Sequence, residues 1–275
     1  MNELVGGLLD ALTQGGAVTL QQVALLGLPL VALAWLLRAA ETALTQRLQR
    51  KLGRRAILAT AWIGVPIHEL SHVIACVLFA HRVERVRLFA PDARTRTLGS
   101  VRHTWNPRNP WAQIGRFFIG SAPLLGGSLA LWALGATLGD HLVPPLDLAG
   151  VSDWKAAFDV AVDNALALAE TLTRADSWTA PRTWAFLYLC LCVGAHLAPS
   201  GADLDGARAG AFSLVLLWWL VATVVILTGL DLSGAEPVVL ALLAPLATVQ
   251  ALALCLSITA LALVWLVTAP FADRS

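Results

Sequence analysis

Apolar residues run along this chain in long stretches, near residues 20–37, 56–80, 111–138, 183–199, 207–230 and 237–269. Each is close to, or longer than, the roughly 17 to 25 residues that a helix needs to cross a bilayer. The pattern predicts an all-α polytopic membrane protein with about six transmembrane helices. The last stretch covers 33 residues, about 50 Å at 1.5 Å per residue against a hydrocarbon core of about 30 Å. It must therefore kink, as Pro245 allows, or leave the membrane at one end.

Polar residues collect in three places between these runs. Arg38 to Arg55 sets Arg47, Arg50, Lys51, Arg54 and Arg55 beside Leu44, Leu48 and Leu52, the pattern of a basic interfacial helix. From His81 to Trp105 apolar and charged residues alternate around Pro91-Asp92. That period of two predicts a small β-hairpin, with strands around Val83–Phe89 and Thr97–His103. Gly139 to Arg182 carries seven acidic and three basic residues, and its amphipathic stretch Ser152–Leu172 predicts an extramembrane helix. The seven arginines of 81–110 place that loop, with 199–208, on the cytoplasmic side. The basic 38–55 segment then falls on the opposite side, against the same rule.

Composition narrows the class. The chain is 57% hydrophobic and 13% charged, with a mean hydropathy of +0.71, where soluble domains carry about 25% charged residues. The reading is a single integral membrane domain, 1–275, with a spanning core at 56–138 and 183–230 and an extramembrane segment at 139–182. A net charge of +1 with scattered arginines gives no basic face for nucleic acid. Cys76, Cys190, Cys192 and Cys255 all fall in apolar runs, where thiols behave as small hydrophobes. The opening MNELVGGLLDALTQGG has acidic residues where a signal peptide is basic, so it is expected to be retained.

The second apolar run contains His68-Glu69-Leu70-Ser71-His72. An HExxH on a helix puts both imidazoles on one face, one turn apart, where they can grip one ion. Zinc suits imidazole nitrogen, and a catalytic zinc takes three protein ligands and a water. Glu69, about 100° around the helix, stands where a base would take that water's proton. Burying two histidines and a glutamate in an apolar helix is costly unless they are paired or metal-bound.

A third ligand must come from elsewhere. The spacing of soluble HExxHxxGxxH proteases would put it at Leu78. Glu84, on the first predicted strand, reads as a solvated residue. Asp203 and Asp205 open the fifth apolar run, within His196-Leu197-Ala198-Pro199-Ser200-Gly201-Ala202-Asp203-Leu204-Asp205-Gly206-Ala207.

An HExxH on a membrane helix, followed much later by a proline-containing turn and Leu204-Asp205-Gly206 at a helix start, resembles the site-2 protease family of intramembrane zinc metalloproteases. The resemblance implies that an aspartate completes the zinc site. His196 stands where that family commonly has an asparagine, and Asp203 and Asp205 fall one residue to either side of the usual spacing. Asp203 shares its helix face with Gly206, Ala207 and Gly210, small residues that allow two helices to approach, and Ser200 would cap its helix. Asp205 has Arg208 at i+3 as a ready partner. The packing argument selects Asp203 as the metal ligand beside His68 and His72, while the LDG resemblance keeps Asp205 as the alternative. Gly120-Ser121-Ala122-Pro123 with Gly126-Gly127 also resembles the family's Gly-Pro-containing helix, and the hairpin its membrane-associated β element.

These readings lead to a zinc metalloendopeptidase with Glu69 as catalytic base, acting on membrane protein or peptide substrates within the lipid bilayer. The resemblance implies a bacterial inner membrane. A zinc-binding scaffold or transporter using the same ligands without hydrolysis is the alternative, and an inactive relative that binds membrane helices is a third. An intact Glu69 separates them, because a site that only holds an ion has no evident use for a general base.

Overall fold

The computed structural model describes residues 2–92, 97–140, 142, 148, 150–230 and 234–270, with backbone alone at 2–4. The chain is an all-α polytopic protein with one small hairpin. Its helices are α1 (Asn2–Gln22), α2 (Leu28–Leu52), α3 (Arg54–Leu78), α4 (Pro110–Thr137), α5 (Trp154–Thr173), α6 (Pro181–Gly194), α7 (Gly201–Thr228) and α8 (Ala235–Thr268). Strands β1 (Arg82–Arg87) and β2 (Ser100–Thr104) pair antiparallel between α3 and α4. Val83 lies opposite His103, and a bulge follows at Glu84. The predicted turn at 93–96 lies outside the described residues, as do 141, 143–147 and 149 of the expected extramembrane segment and 231–233 of the loop before α8.

Among the described residues, five apolar helical stretches are long enough to cross a membrane: Val5–Leu52, Arg54–Leu78, Pro110–Thr137, Gly201–Thr228 and Ala235–Thr268. Their outer faces carry exposed residues such as Trp62, Val77, Phe212, Val224, Leu242 and Trp265. So much outward apolar surface is stable only against lipid tails, the mark of an integral membrane protein.

Two spans differ from the sequence pattern. The run 183–199 becomes α6, which stops at Gly194 after 14 residues, about 21 Å at the helical rise and short of a full crossing. At the other end, α1, a π-helical turn at Val23–Gly27 and α2 form one helical stretch. Its N-terminal half packs on α7, where Trp219 Nε1 donates to Leu12 O at 3.0 Å and Trp218 Nε1 to Gln22 Oε1 at 2.6 Å. The basic segment 38–55 is mostly the C-terminal half of α2. Leu44 and Leu48 are buried against Ala260 and Val264 of α8, and Arg47 bonds Thr268 Oγ1 at 3.0 Å. Gly53, at φ 78°, separates α2 from α3. The amphipathic stretch 152–172 is α5, capped by Asp153 accepting from Ala156 N at 2.8 Å.

Helices α3, α4 and α7 position the candidate site. Small residues let α4 and α7 touch backbone to backbone: a side chain at Gly120 would collide with Asp203 O and Ala207, and one at Gly210 with Phe117 N. Overpacking of this kind costs about 1 to 3 kcal/mol. Gly210→Leu is therefore expected to lower the thermal unfolding midpoint in detergent by several degrees. Gly135→Ala, in open space on α4, should leave it unchanged or slightly higher.

Candidate metal centre

His68 and His72 lie one turn apart on α3, with ring centroids 5.0 Å apart. Their Nε2 atoms are 3.3 Å from each other. Asp203, in the first turn of α7, brings Oδ1 to 3.3 Å from His72 Nε2 and Oδ2 to 3.8 Å from His68 Nε2. Donors on a tetrahedral ion with bonds of about 2.0 to 2.1 Å stand roughly 3.3 to 3.4 Å apart. The two imidazole nitrogens, and His72 with Oδ1, already have that spacing, while the other carboxylate oxygen lies a few tenths of an ångström further from His68. The chain thus offers a group able to hold a metal ion.

The second nitrogen of each ring fixes its tautomer. His68 Nδ1 donates to His196 O and His72 Nδ1 to Ile119 O, both at 2.9 Å. A carbonyl only accepts, so both Nδ1 atoms carry hydrogen and both Nε2 lone pairs converge on the Asp203 carboxylate. In two neutral rings these lone pairs would repel the carboxylate, and a cation between them, whether a metal ion or a proton on one ring, relieves that repulsion. Anchoring of the outer ring nitrogen on a carbonyl is also the usual second contact of a metal-ligating histidine.

Both carbonyls are free for local reasons. Ile119 O would ordinarily accept from the N–H of residue 123, but Pro123 has none. That proline in the middle of α4 hands the carbonyl to His72. At the other ring, His196 lies beyond the end of α6. The nearby Ser200 N–H, four residues on, instead donates to Asp203 Oδ2 at 2.7 Å, while Asp203 N donates to Ser200 Oγ at 3.3 Å. This reciprocal cap orients the carboxylate and leaves His196 O to His68. The His196 side chain is occupied separately, with Nε2 3.0 Å from Thr60 Oγ1.

Glu69 is buried beside the two histidines. The loop entering β2 lies over it, since a side chain at Gly99 would meet Val65 and Glu69 Cγ and Oε1. Asp203 also lines a cavity of about 370 Å³, with His103, Trp105, Arg116, Gly120 and Asp205, a size suited to a small ligand or a short chain segment. Asp205 points away from the histidines, 3.7 Å from Arg208 Nη1, with both side chains largely exposed. Glu84 is exposed on β1.

The sequence pattern did not reveal the Ile119 and His196 carbonyls. The first has a written signal, a proline four residues after the accepting position. Nor did it set Cys76 apart from the other apolar-run cysteines, although its Sγ and one ring nitrogen each of His81 and His103 lie within 4.8 Å of one another. Comparison with protein-family models, curated proteins and solved structures finds no match to this chain.

Proposed function

We propose that this chain is an intramembrane zinc metallopeptidase, similar in plan to the site-2 protease family, in a membrane such as the bacterial plasma membrane. The observation that carries the reading is the convergence of the His68 and His72 Nε2 lone pairs on Asp203, with a buried glutamate next to one of the histidines. Two imidazoles and one carboxylate suit zinc and leave its fourth position for water or substrate. A zinc ion there would polarise a peptide carbonyl and make a bound water acidic near neutral pH.

Glu69 accepts the proton as the water oxygen bonds to the carbonyl carbon. It then delivers that proton to the amide nitrogen as the C–N bond breaks, so that one carboxylic acid and one amine leave. Asp203 and the two imidazoles hold their positions through the Ser200, His196 and Ile119 contacts. A substrate helix must unwind first, because its backbone groups are bonded within the segment. The hairpin offers free strand edges beside Glu69 for holding such a segment extended, and the cavity at Asp203 has room for its side chains.

The test is purified protein in detergent, stripped of metal by a chelator and assayed on a synthetic transmembrane peptide. Cleavage should vanish on stripping, return with about one equivalent of zinc at this site, and be absent in Glu69→Gln. Zinc bound by His68 and His72 without Glu69-dependent cleavage of any tested peptide would assign the chain to the non-catalytic scaffolds or transporters.

A further inference from the structure

A second group of metal-ligand side chains lies at the C-terminal end of α3, where the hairpin begins. Cys76, on the last turns of α3, is fully buried, and His81 is 5% exposed. The chain doubles back between them: Ala80 takes a left-handed conformation at φ 56°, and His81 N donates to Cys76 O at 2.8 Å. That is the helix-ending turn in which a left-handed residue follows the last turn. It is unusual in using alanine, whose Cβ disfavours this conformation. The third member, His103, comes from β2, opposite Val83 in the hairpin register.

The ring of His81 is anchored on a backbone carbonyl as the rings of His68 and His72 are, but through its other nitrogen. Its Nε2 donates to Ala112 O at 2.9 Å, so its Nδ1 presents a lone pair, and that atom faces His103 Nδ1 at 2.9 Å. Trp105 stacks on the His81 ring at 5.4 Å, with Arg116 over the Trp105 ring at 5.0 Å. A proton shared between the two Nδ1 atoms would satisfy the histidine pair alone. The Cys76 thiol makes it a three-donor group, all within 4.8 Å. A tetrahedral ion with Zn–S near 2.3 Å and Zn–N near 2.0 to 2.1 Å needs its nitrogens roughly 3.3 to 3.4 Å apart and each about 3.5 Å from the sulfur, so the two Nδ1 atoms, now 2.9 Å apart, must separate by about 0.4 Å as the ion enters.

We propose that Cys76, His81 and His103 form a second site for a borderline-soft divalent cation, zinc above all, which clamps the hairpin to α3. One thiolate and two neutral imidazoles select such an ion over magnesium or calcium. Binding replaces the thiol hydrogen, so one proton leaves as the ion enters. A fourth donor would have to be water, and the cavity that His103 and Trp105 line would supply it. Since His81 is also bonded to α4 through Ala112 O, the ion ties together the end of α3, β2 and the start of α4. The inference is independent of peptidase activity, because none of its three donors belongs to the His68, His72, Asp203 group.

Cobalt reads the two sites separately, because a thiolate ligand gives cobalt(II) a near-ultraviolet charge-transfer band that imidazole and carboxylate do not. Metal-stripped full-length protein in detergent, titrated with cobalt(II), should take up two equivalents and show that band. His68→Ala should lose one equivalent and keep the band. Cys76→Ser should lose the other equivalent and the band together, and His103→Gln should weaken binding at the same site. A wild-type titration that ends at one equivalent with no thiolate band overturns the proposal, whether or not the variants fold. A band that survives in folded Cys76→Ser overturns it too, by assigning the thiolate to another cysteine.

Discussion

Glu69→Gln is expected to lower kcat for cleavage of a transmembrane peptide by roughly 10² to 10⁴-fold, the range that a positioned general base contributes, while the protein keeps its bound ion. The separation follows from the site's construction. The three donors are His68, His72 and Asp203, whose atoms lie 3.3 to 3.8 Å apart, and Glu69 is not among them. Glutamine has nearly the same shape, so the buried space beneath Gly99 stays filled and the thermal midpoint should move little. What is lost is a group that can take a proton from water and return it to the leaving nitrogen. Peptide cleavage followed by mass spectrometry, with metal content measured on the same sample, gives both quantities. Wild-type cleavage by Glu69→Gln would remove the proposed role of this residue.

Much of the frame follows from periodicity. The i, i+4 spacing of His68 and His72 survives any small error in the ends of α3, because a helix fixes their relative direction wherever it starts. The hairpin was legible from alternation, although its strands are shorter than the pattern suggested and its turn at 93–96 falls outside the described residues. Asp203 was separable from Asp205 by its neighbours on the helix face. Gly210 and Ala207 do make the close contact with α4 that such residues permit, with Gly120 as their counterpart.

Other features depend on tertiary partners and leave weaker traces. The run 183–199 has the composition of a span, but α6 ends at Gly194, and the turn that follows supplies His196 O to His68. Hydropathy averages over such a break. Leu44 and Leu48 look interfacial beside the arginines, yet α8 covers them, because an amphipathic stripe does not say whether lipid or another helix will meet it. Cys76 and His81 are five residues apart across a helix end, and His103 joins them only through the strand register. No fixed spacing announces such a cluster.

The second large effect is expected at Asp203. Asp203→Ala removes a charged donor from the ion and half of the reciprocal cap with Ser200. Ion affinity should fall by well over the 10 to 100-fold typical of losing an outer-sphere partner, and cleavage should fall with it. Asp203→Asn separates the two roles, since its amide oxygen can still accept from Ser200 N and hold the start of α7. Helix content by circular dichroism should then match the unmodified protein while zinc competition against a chelator still shows weakened binding. Asp205→Ala is the matched control two residues away. Its partner Arg208 is 3.7 Å distant, and both side chains are 79% exposed, a setting in which ion pairs contribute about 0 to 1 kcal/mol. Zinc content should stay near its unmodified value, which is the quantity that separates the two aspartates, since Asp205 also lines the cavity. The opposite ranking, with zinc lost from Asp205→Ala and retained by Asp203→Ala, would mean that α7 presents its other face to the histidines. The backbone contact of Gly120 with Asp203 and Ala207 argues against such a rotation, because turning α7 by the 200° between these two positions would drive larger side chains into α4.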